Sequence, residues 1–257
     1  MTDIENALET INKAERPISE VVRERILTKM GRVKELREEV NVDETSIKDK
    51  LGFLCNQNIS AFINEKEREL LIDEVAEKFQ DVLQSLVIDT DNDHNTNGTA
   101  RRVAKMFINE TFGGRYSEMP PVTDFPNVHQ YDSLYTVGPI SIRSTCAHHF
   151  QAIKGKCWVG ILPGEKVIGL SKFNRIVDWI ASRPQIQEEM TEQIADEIEK
   201  ITKASGIAVV MKAEHQCMTM RGVKEHNSDM TTSVMRGDFK ENPPLKAELL
   251  SLIDMSK

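Results

Sequence analysis

Apolar residues recur at helical spacing along the first third of the chain. Ile4, Leu8 and Ile11 share one helical face, and Ile18, Val22, Ile26 and Val33 share another, with Pro17 suited to a first helical turn. Residues 1–65 are charge-rich and carry no chemical motif, so they read as an amphipathic helical extension that packs on the body of the protein or on a neighbour. A stronger helix is predicted over 66–88, with Leu71, Val75, Phe79, Val82 and Leu86 along one side; the polar run from Asp89 to Gly98 breaks it. A second helix, from about Thr99 to Thr111, turns Val103, Met106 and Phe107 inward, and Gly113-Gly114 closes it. Pro120, Pro121 and Pro126 mark a loop.

The texture then changes. Leu134 to Cys146 is rich in β-branched residues and predicts a strand, and Lys154 to Leu162, then Lys166 to Leu170, give a second strand with a turn at Pro163-Gly164. Two helices come next. Phe173, Ile176, Val177 and Ile180 line one face of the first, and Ile186, Met190, Ile194, Ile198 and Ile201 line one face of the second, which Gly206 ends. Strands at about 207–216 and 230–239 and a short helix after Pro243-Pro244 complete the chain. This order predicts an α+β fold: a four-stranded antiparallel sheet with two helices on one face. The expected division is a helical extension over 1–65, a helical part over 66–130 and a sheet-bearing domain over 131–257.

Composition narrows the function classes. Hydrophobic residues are 39% and charged residues 29%, ordinary for a protein with a real core. No apolar run reaches membrane-spanning length, and the acidic start Met1-Thr2-Asp3-Ile4-Glu5 lacks a secretory pattern, so a cytoplasmic location is expected. A net charge of −8 argues against a nucleic-acid partner and leaves room for a small anion only where basic groups cluster.

Four cysteines, Cys55, Cys146, Cys157 and Cys217, are expected to be reduced thiols or metal ligands. Cys146-Ala147-His148-His149 sets a thiolate and an imidazole three positions apart at a strand end, and Cys217 follows far downstream in His215-Gln216-Cys217. Cysteine and histidine are ligands that zinc prefers, and three protein ligands, Cys146, His149 and Cys217, leave a fourth position for water, as in catalytic sites. Cys157, inside a predicted strand, reads as a core thiol. His148 and His215 flank the ligands and suit general acid–base roles, because imidazole titrates near neutrality. His94, His129 and His226 take no role.

Ser171-Lys172-Phe173-Asn174-Arg175 opens a predicted helix with Ser171 as its N-cap. The free N–H groups there, with Lys172 and Arg175 projecting on one side, suit a phosphate; Arg221 and Arg102 add charge. Gln187-Glu188 begins the next helix, where Glu188 either complements the helix dipole or accepts two N–H bonds from a ligand edge.

Together these segments resemble type I GTP cyclohydrolase. The resemblance is carried by Ser144-Thr145-Cys146-Ala147-His148-His149-Phe150, Ile168-Gly169-Leu170-Ser171-Lys172-Phe173-Asn174-Arg175-Ile176-Val177, Arg183-Pro184-Gln185-Ile186-Gln187-Glu188, and His215-Gln216-Cys217 through Arg221-Gly222. Arg102-Val103-Ala104-Lys105-Met106 is similar to an earlier helix of that family. The resemblance implies a tunnelling fold assembled into a ring, usually a homodecamer with sites at subunit boundaries. It also implies hydrolysis of GTP to 7,8-dihydroneopterin triphosphate and formate, with Zn2+ as cofactor. It assigns Cys146, His149 and Cys217 to the metal, and His148, His215 and Ser171 to catalysis. Lys172, Arg175, Arg221 and Arg102 fall to the triphosphate or ribose, and Gln187 and Glu188 to guanine.

Four departures stand out. Ala147 replaces the family's usual glutamate, Thr99-Ala100 replaces Thr-Pro, the loop from Asp89 to Asn97 does not match well, and residues 1–65 have no counterpart. Two rival readings follow: a catalytically impaired GTP- or pterin-binding relative with a regulatory or assembly role, and a related reductase of a 7-deazaguanine nitrile. The second uses a cysteine nucleophile and no zinc.

Overall fold

The computed structural model describes residues 53–256 together with Ser19 and Val22. The predicted apolar positions Ile4, Leu8, Ile11, Ile18, Ile26 and Val33, and Pro17, lie outside the described residues. Ser19 and Val22 are helical, and Val22 is buried beside Phe53, Phe62, Leu70 and Leu71. The described residues form two compact units, one ending at Glu110 and one beginning at Thr111.

In the first unit a short 3-10 turn (Ser60–Phe62) precedes helix α1 (Glu65–Ser85), and helix α2 (Thr99–Lys105) continues into a π-helical turn at Met106–Thr111. A capping box starts α1: the Asn64 side chain accepts from the Glu67 N–H, and the Glu67 carboxylate accepts from the Asn64 N–H, both at 3.0 Å. Ile72 is fully buried, but Val82 and Leu86, expected on the inner stripe, are 50% and 64% exposed. Arg101 of α2 pairs with Asp73 and Phe107 of the following turn packs on Phe79, so these contacts fall along the middle of α1 and not on its last turn. In α2 and the turn after it the buried face is Ala100, Ala104 and Ile108 rather than Val103, Met106 and Phe107. Small alanines allow close helix approach, and Phe107 instead lies against Phe79 with ring centroids 5.5 Å apart.

The second unit holds helix α3 (Gly113–Tyr116), strands β1 (Asp124–Pro126), β2 (Tyr135–Cys146), β3 (Ala152–Leu162) and β4 (Lys166–Ile168), and helix α4 (Leu170–Ala181). After these come β5 (Pro184–Gln185), α5 (Gln187–Thr202), β6 (Gly206–His215), α6 (Gln216–Thr219), β7 (Asp229–Gly237), α7 (Asp238–Glu241) and α8 (Pro243–Met255). The main sheet runs β5-β2-β3-β6-β7, antiparallel except for the two-residue β5, which lies parallel to β2 through Thr145↔Pro184 and Cys146↔Gln185. The four predicted sheet strands are therefore joined by a fifth. The segment after Pro163-Gly164, read as the rest of the second strand, leaves the main sheet: β4 pairs with β1 in a separate ribbon that includes Pro126, expected in a loop.

Strand alternation sorts the core. Cys157, Val159, Ile161, Ile207, Val209 and Met211 face α4 and α5, meeting Phe173, Ile176, Val177, Ile180, Met190, Ile194 and Ile198. Trp158, Leu162, Ala208 and Val210 face the other way, onto Phe239, Leu249 and Ile253. Each large side chain buried in this way contributes about 1.5–3 kcal/mol. Gly113-Gly114 opens α3 instead of ending the previous helix; a Cβ on Gly114 would lie 1.9 Å from the Trp179 carbonyl oxygen, so only glycine allows that approach. Helix α5 ends before Gly206, with Lys203 in the left-handed conformation (φ 52°).

This topology gathers one end of the sheet. The β2–β3 turn, β5 and the last residue of β6 meet there, with His215 opposite Ile153 and Gln185 beside Cys146.

Candidate metal centre and active site

At the end of β2 the chain reverses through Ala147-His148-His149-Phe150. Phe150 takes the left-handed conformation (φ 52°), and its N–H donates to the Cys146 carbonyl at 2.9 Å. Residues 146–150 thus make one helical turn, in which positions 146 and 149 project on one side. The Cys146 N–H donates to the Gln151 carbonyl (2.8 Å), and the Ala147 N–H donates to the Gln185 carbonyl (3.1 Å), tying the turn to β5. Cys217 comes from α6, immediately after β6.

The donor atoms of Cys146, His149 and Cys217 all lie within 4.8 Å of one another, and among the described residues no other group of three His, Cys, Asp or Glu converges in this way. Burial pushes the Cys217 thiol up from its ordinary pKa, the adjacent Cys146 sulfur pushes it further, and Arg221 pulls it down. A cation between the two sulfurs would favour the Cys217 thiolate that its surroundings oppose. Two soft thiolates and one imidazole are a donor set that fits zinc.

The flanking groups separate into two kinds. His148 is exposed, with its ring centroid 6.3 Å from that of His149. His215 is half-buried and lies 2.8 Å from Gln187 through Nε2; burial lowers its pKa, and the nearby Glu188 carboxylate raises it. Glu188 is exposed on the first turn of α5. Gln187, expected at the guanine edge, is instead fully buried, with its amide engaged by His215, Met230 and Thr232.

The basic cluster also departs in detail. Helix α4 begins at Leu170 with Gly169 as its N-cap and no side-chain cap bond, so Ser171 is not the cap but an exposed first-turn residue. Lys172 donates through Nζ to the Pro121 carbonyl (2.8 Å), Arg175 is exposed, and Arg221 lies close enough to Cys217 to stabilise its thiolate. Arg102 belongs to the first unit, where its guanidinium donates to the Asn95 and Asn97 carbonyls and to Thr99 Oγ1. Cys157 is the expected core thiol: it is fully buried, and burial pushes it up to about 12.

Three supporting residues escaped the sequence reading. Gln185 is fully buried, donates through Nε2 to the Ile180 carbonyl (2.6 Å), and positions the Cys146 turn through its backbone. Thr191 and Thr232 bond each other beside Gln187. A short polar segment between two helices and an adjacent pair of threonines in a strand were the only signals available.

Comparison with known proteins decides the family. The sequence model of GTP cyclohydrolase I matches residues 75–254. The chain belongs to the GTP cyclohydrolase I family. It is 39% identical over 185 residues to GTP cyclohydrolase 1 of Aliivibrio salmonicida, covering 72% of this chain and 85% of the relative. It is 38% identical over 179 residues to the Shewanella baltica protein of the same name, covering 69% and 82%. A solved structure, an archaeosine synthase QueF-Like in the apo form, aligns at a TM-score of 0.32 with 12% identity, over 47% of this chain and 97% of that one. Within this GTP cyclohydrolase I family member, the turn that carries Ala147 is held by backbone bonds that need no carboxylate. None of the described helices is long and apolar enough to cross a membrane.

Proposed function

We propose that the chain hydrolyses GTP to 7,8-dihydroneopterin triphosphate and formate. The observation that carries this is the convergence of Cys146, His149 and Cys217, with His215 and Glu188 beside them. Cys146, His149 and Cys217 would hold a zinc ion, which when bound would supply Lewis acidity that makes a water nucleophilic near neutral pH. Glu188 accepts the N1–H and amino N–H of guanine, a pairing that requires a carboxylate. His148, exposed beside the ligands, gives a proton to N7 as water adds at C8 and the imidazole ring opens. His215, with Ser171 near the ribose, moves protons during the sugar rearrangement and pterin-ring closure that follow loss of formate. Lys172, Arg175 and Arg221 hold the triphosphate, and this remote binding orients the base.

The tunnelling-fold resemblance supports assembly into a large homo-oligomer, most simply ten chains, in the cytoplasm. β7 has a strand on one side only, an edge that ring closure would pair. Arg102 then reaches the site from a neighbouring subunit. Mixing Arg102→Ala with Cys217→Ser under conditions that exchange subunits restores part of the activity if sites are shared; no recovery despite proven exchange rejects sharing.

The functional test is incubation of purified protein with GTP, with formate and the pterin product identified. Release of the two in equal amounts supports the proposal. A protein that carries metal and binds GTP without releasing formate would instead be the impaired relative.

A further inference from the structure

Gln187 is fully buried at the start of α5, and the protons around its amide can be assigned one by one. Nε2 lies 3.1 Å from the Met230 carbonyl oxygen, 3.4 Å from the Met211 carbonyl oxygen and 3.0 Å from Thr232 Oγ1. A carbonyl only accepts, so the nitrogen end of the amide must face it; the reversed amide would set two oxygens against each other. Oε1 therefore faces His215 Nε2 at 2.8 Å, and since Oε1 can only accept, Nε2 must carry the proton.

The threonines lead to the same assignment from the other side. Thr191 Oγ1 donates to the Gln187 carbonyl at 2.7 Å, which uses its single proton. Across the 2.8 Å contact it must then accept from Thr232 Oγ1. Thr232, its proton so used, accepts from Gln187 Nε2. The bonds close into one ordered set spanning α5, β6 and β7.

We propose that Gln187, Thr191 and Thr232 form a brace that holds His215 as the Nε2–H tautomer. Nδ1, which has no protein hydrogen bond among the described residues, is thereby the ring nitrogen presented to substrate. These three are positioning residues: they act through His215 and do not touch the reacting atoms. The proposal rests on His215 serving as an acid–base group, but the tautomer itself can be read without turnover.

The test uses the metal-loaded, assembled protein labelled with 15N-histidine, with His215 assigned from a His215→Asn difference spectrum. Wild type should show a protonated Nε2 and an unprotonated Nδ1 at His215. Thr232→Val removes one acceptor of the amide, and the link to Thr191, while keeping side-chain shape. It should mix the tautomers and lower kcat about tenfold or more, with KM changed less than about threefold. Thr232→Ser restores the hydroxyl and should recover most of that loss. If Thr232→Val does not fold, Thr191→Val asks the same question from the helix side.

A wild-type proton on Nδ1 overturns the proposal. So does a Thr232→Val protein with unchanged spectrum and kcat, or a Thr232→Ser protein as damaged as Thr232→Val, which would mean packing alone. Absence of formate release by wild type would instead reject the functional reading, and the nitrogen spectrum would still report on the brace.

Discussion

The two ends of the proposed site are built differently. At the metal end, Cys146 is buried, its turn is fixed by three backbone bonds, and His215 is held by an amide that is itself held on both sides. At the anion end, Ser171 and Arg175 are exposed on the first turns of α4, and Lys172 reaches back to a loop carbonyl. The contrast follows the chemistry. Proton transfer and metal ligation need atoms fixed to a fraction of an ångström, whereas attraction of a triphosphate tolerates mobile cations. Loss of one group at the metal end should therefore disable the reaction, and loss of one cation at the other should only weaken binding.

The largest effect is expected at the ligands. Cys217→Ser and Cys146→Ser should each lose most of their zinc and lower turnover by about a thousandfold or more, measured by metal analysis and formate release.

Glu188→Gln comes next. An amide cannot accept both guanine N–H bonds, so kcat/KM should fall by about a hundredfold. Unchanged kinetics would return Glu188 to a helix-capping role and erase one part of the ordered end.

Arg175→Ala should act mainly on KM, by about tenfold, through loss of a charge-assisted bond. Raising the salt concentration should increase the wild-type KM in the same direction. A kcat loss equal to that of Glu188→Gln would show that the two ends are not distinct.

The smallest effect is on stability. Cys157 has its folded pKa raised to about 12 by burial, from an ordinary value of 9.0. A group raised in this way gives its full stability below the unfolded pKa and loses it as pH rises toward the folded one. Above about pH 9 its contribution should fall steadily as pH rises. Denaturation midpoints compared between wild type and Cys157→Ala over the lower part of this range, up to pH 10.5, should show the wild type losing its advantage. Parallel pH curves would contradict the assignment.

Much of this was legible in the sequence because it depends on local repetition. Strands β2, β3, β6 and β7 follow β-branched runs, and Phe173, Ile176, Val177 and Ile180 mark the buried face of α4 at helical spacing. The ligands were legible because Cys146 and His149 share one turn and Cys217 ends a strand–turn unit. What stayed hidden depends on distance or on small size. The Gln187 amide meets partners 28 and 45 positions away, which no spacing encodes. β5 has two residues, too few for a period, and the inner face of α2 is built on alanines that a search for large apolar residues passes over. Ser171 was a fair N-cap by type, but backbone geometry sets the cap two residues earlier, at Gly169, so that α4 starts at Leu170.

The most direct test of the central claim measures metal and formate on the same samples of wild type, Cys146→Ser and Cys217→Ser. Wild type should carry about one zinc per chain and release formate from GTP, and both properties should fall together in the two variants. Wild-type metal content in both serine variants, or full formate release from variants that hold no zinc, would contradict it.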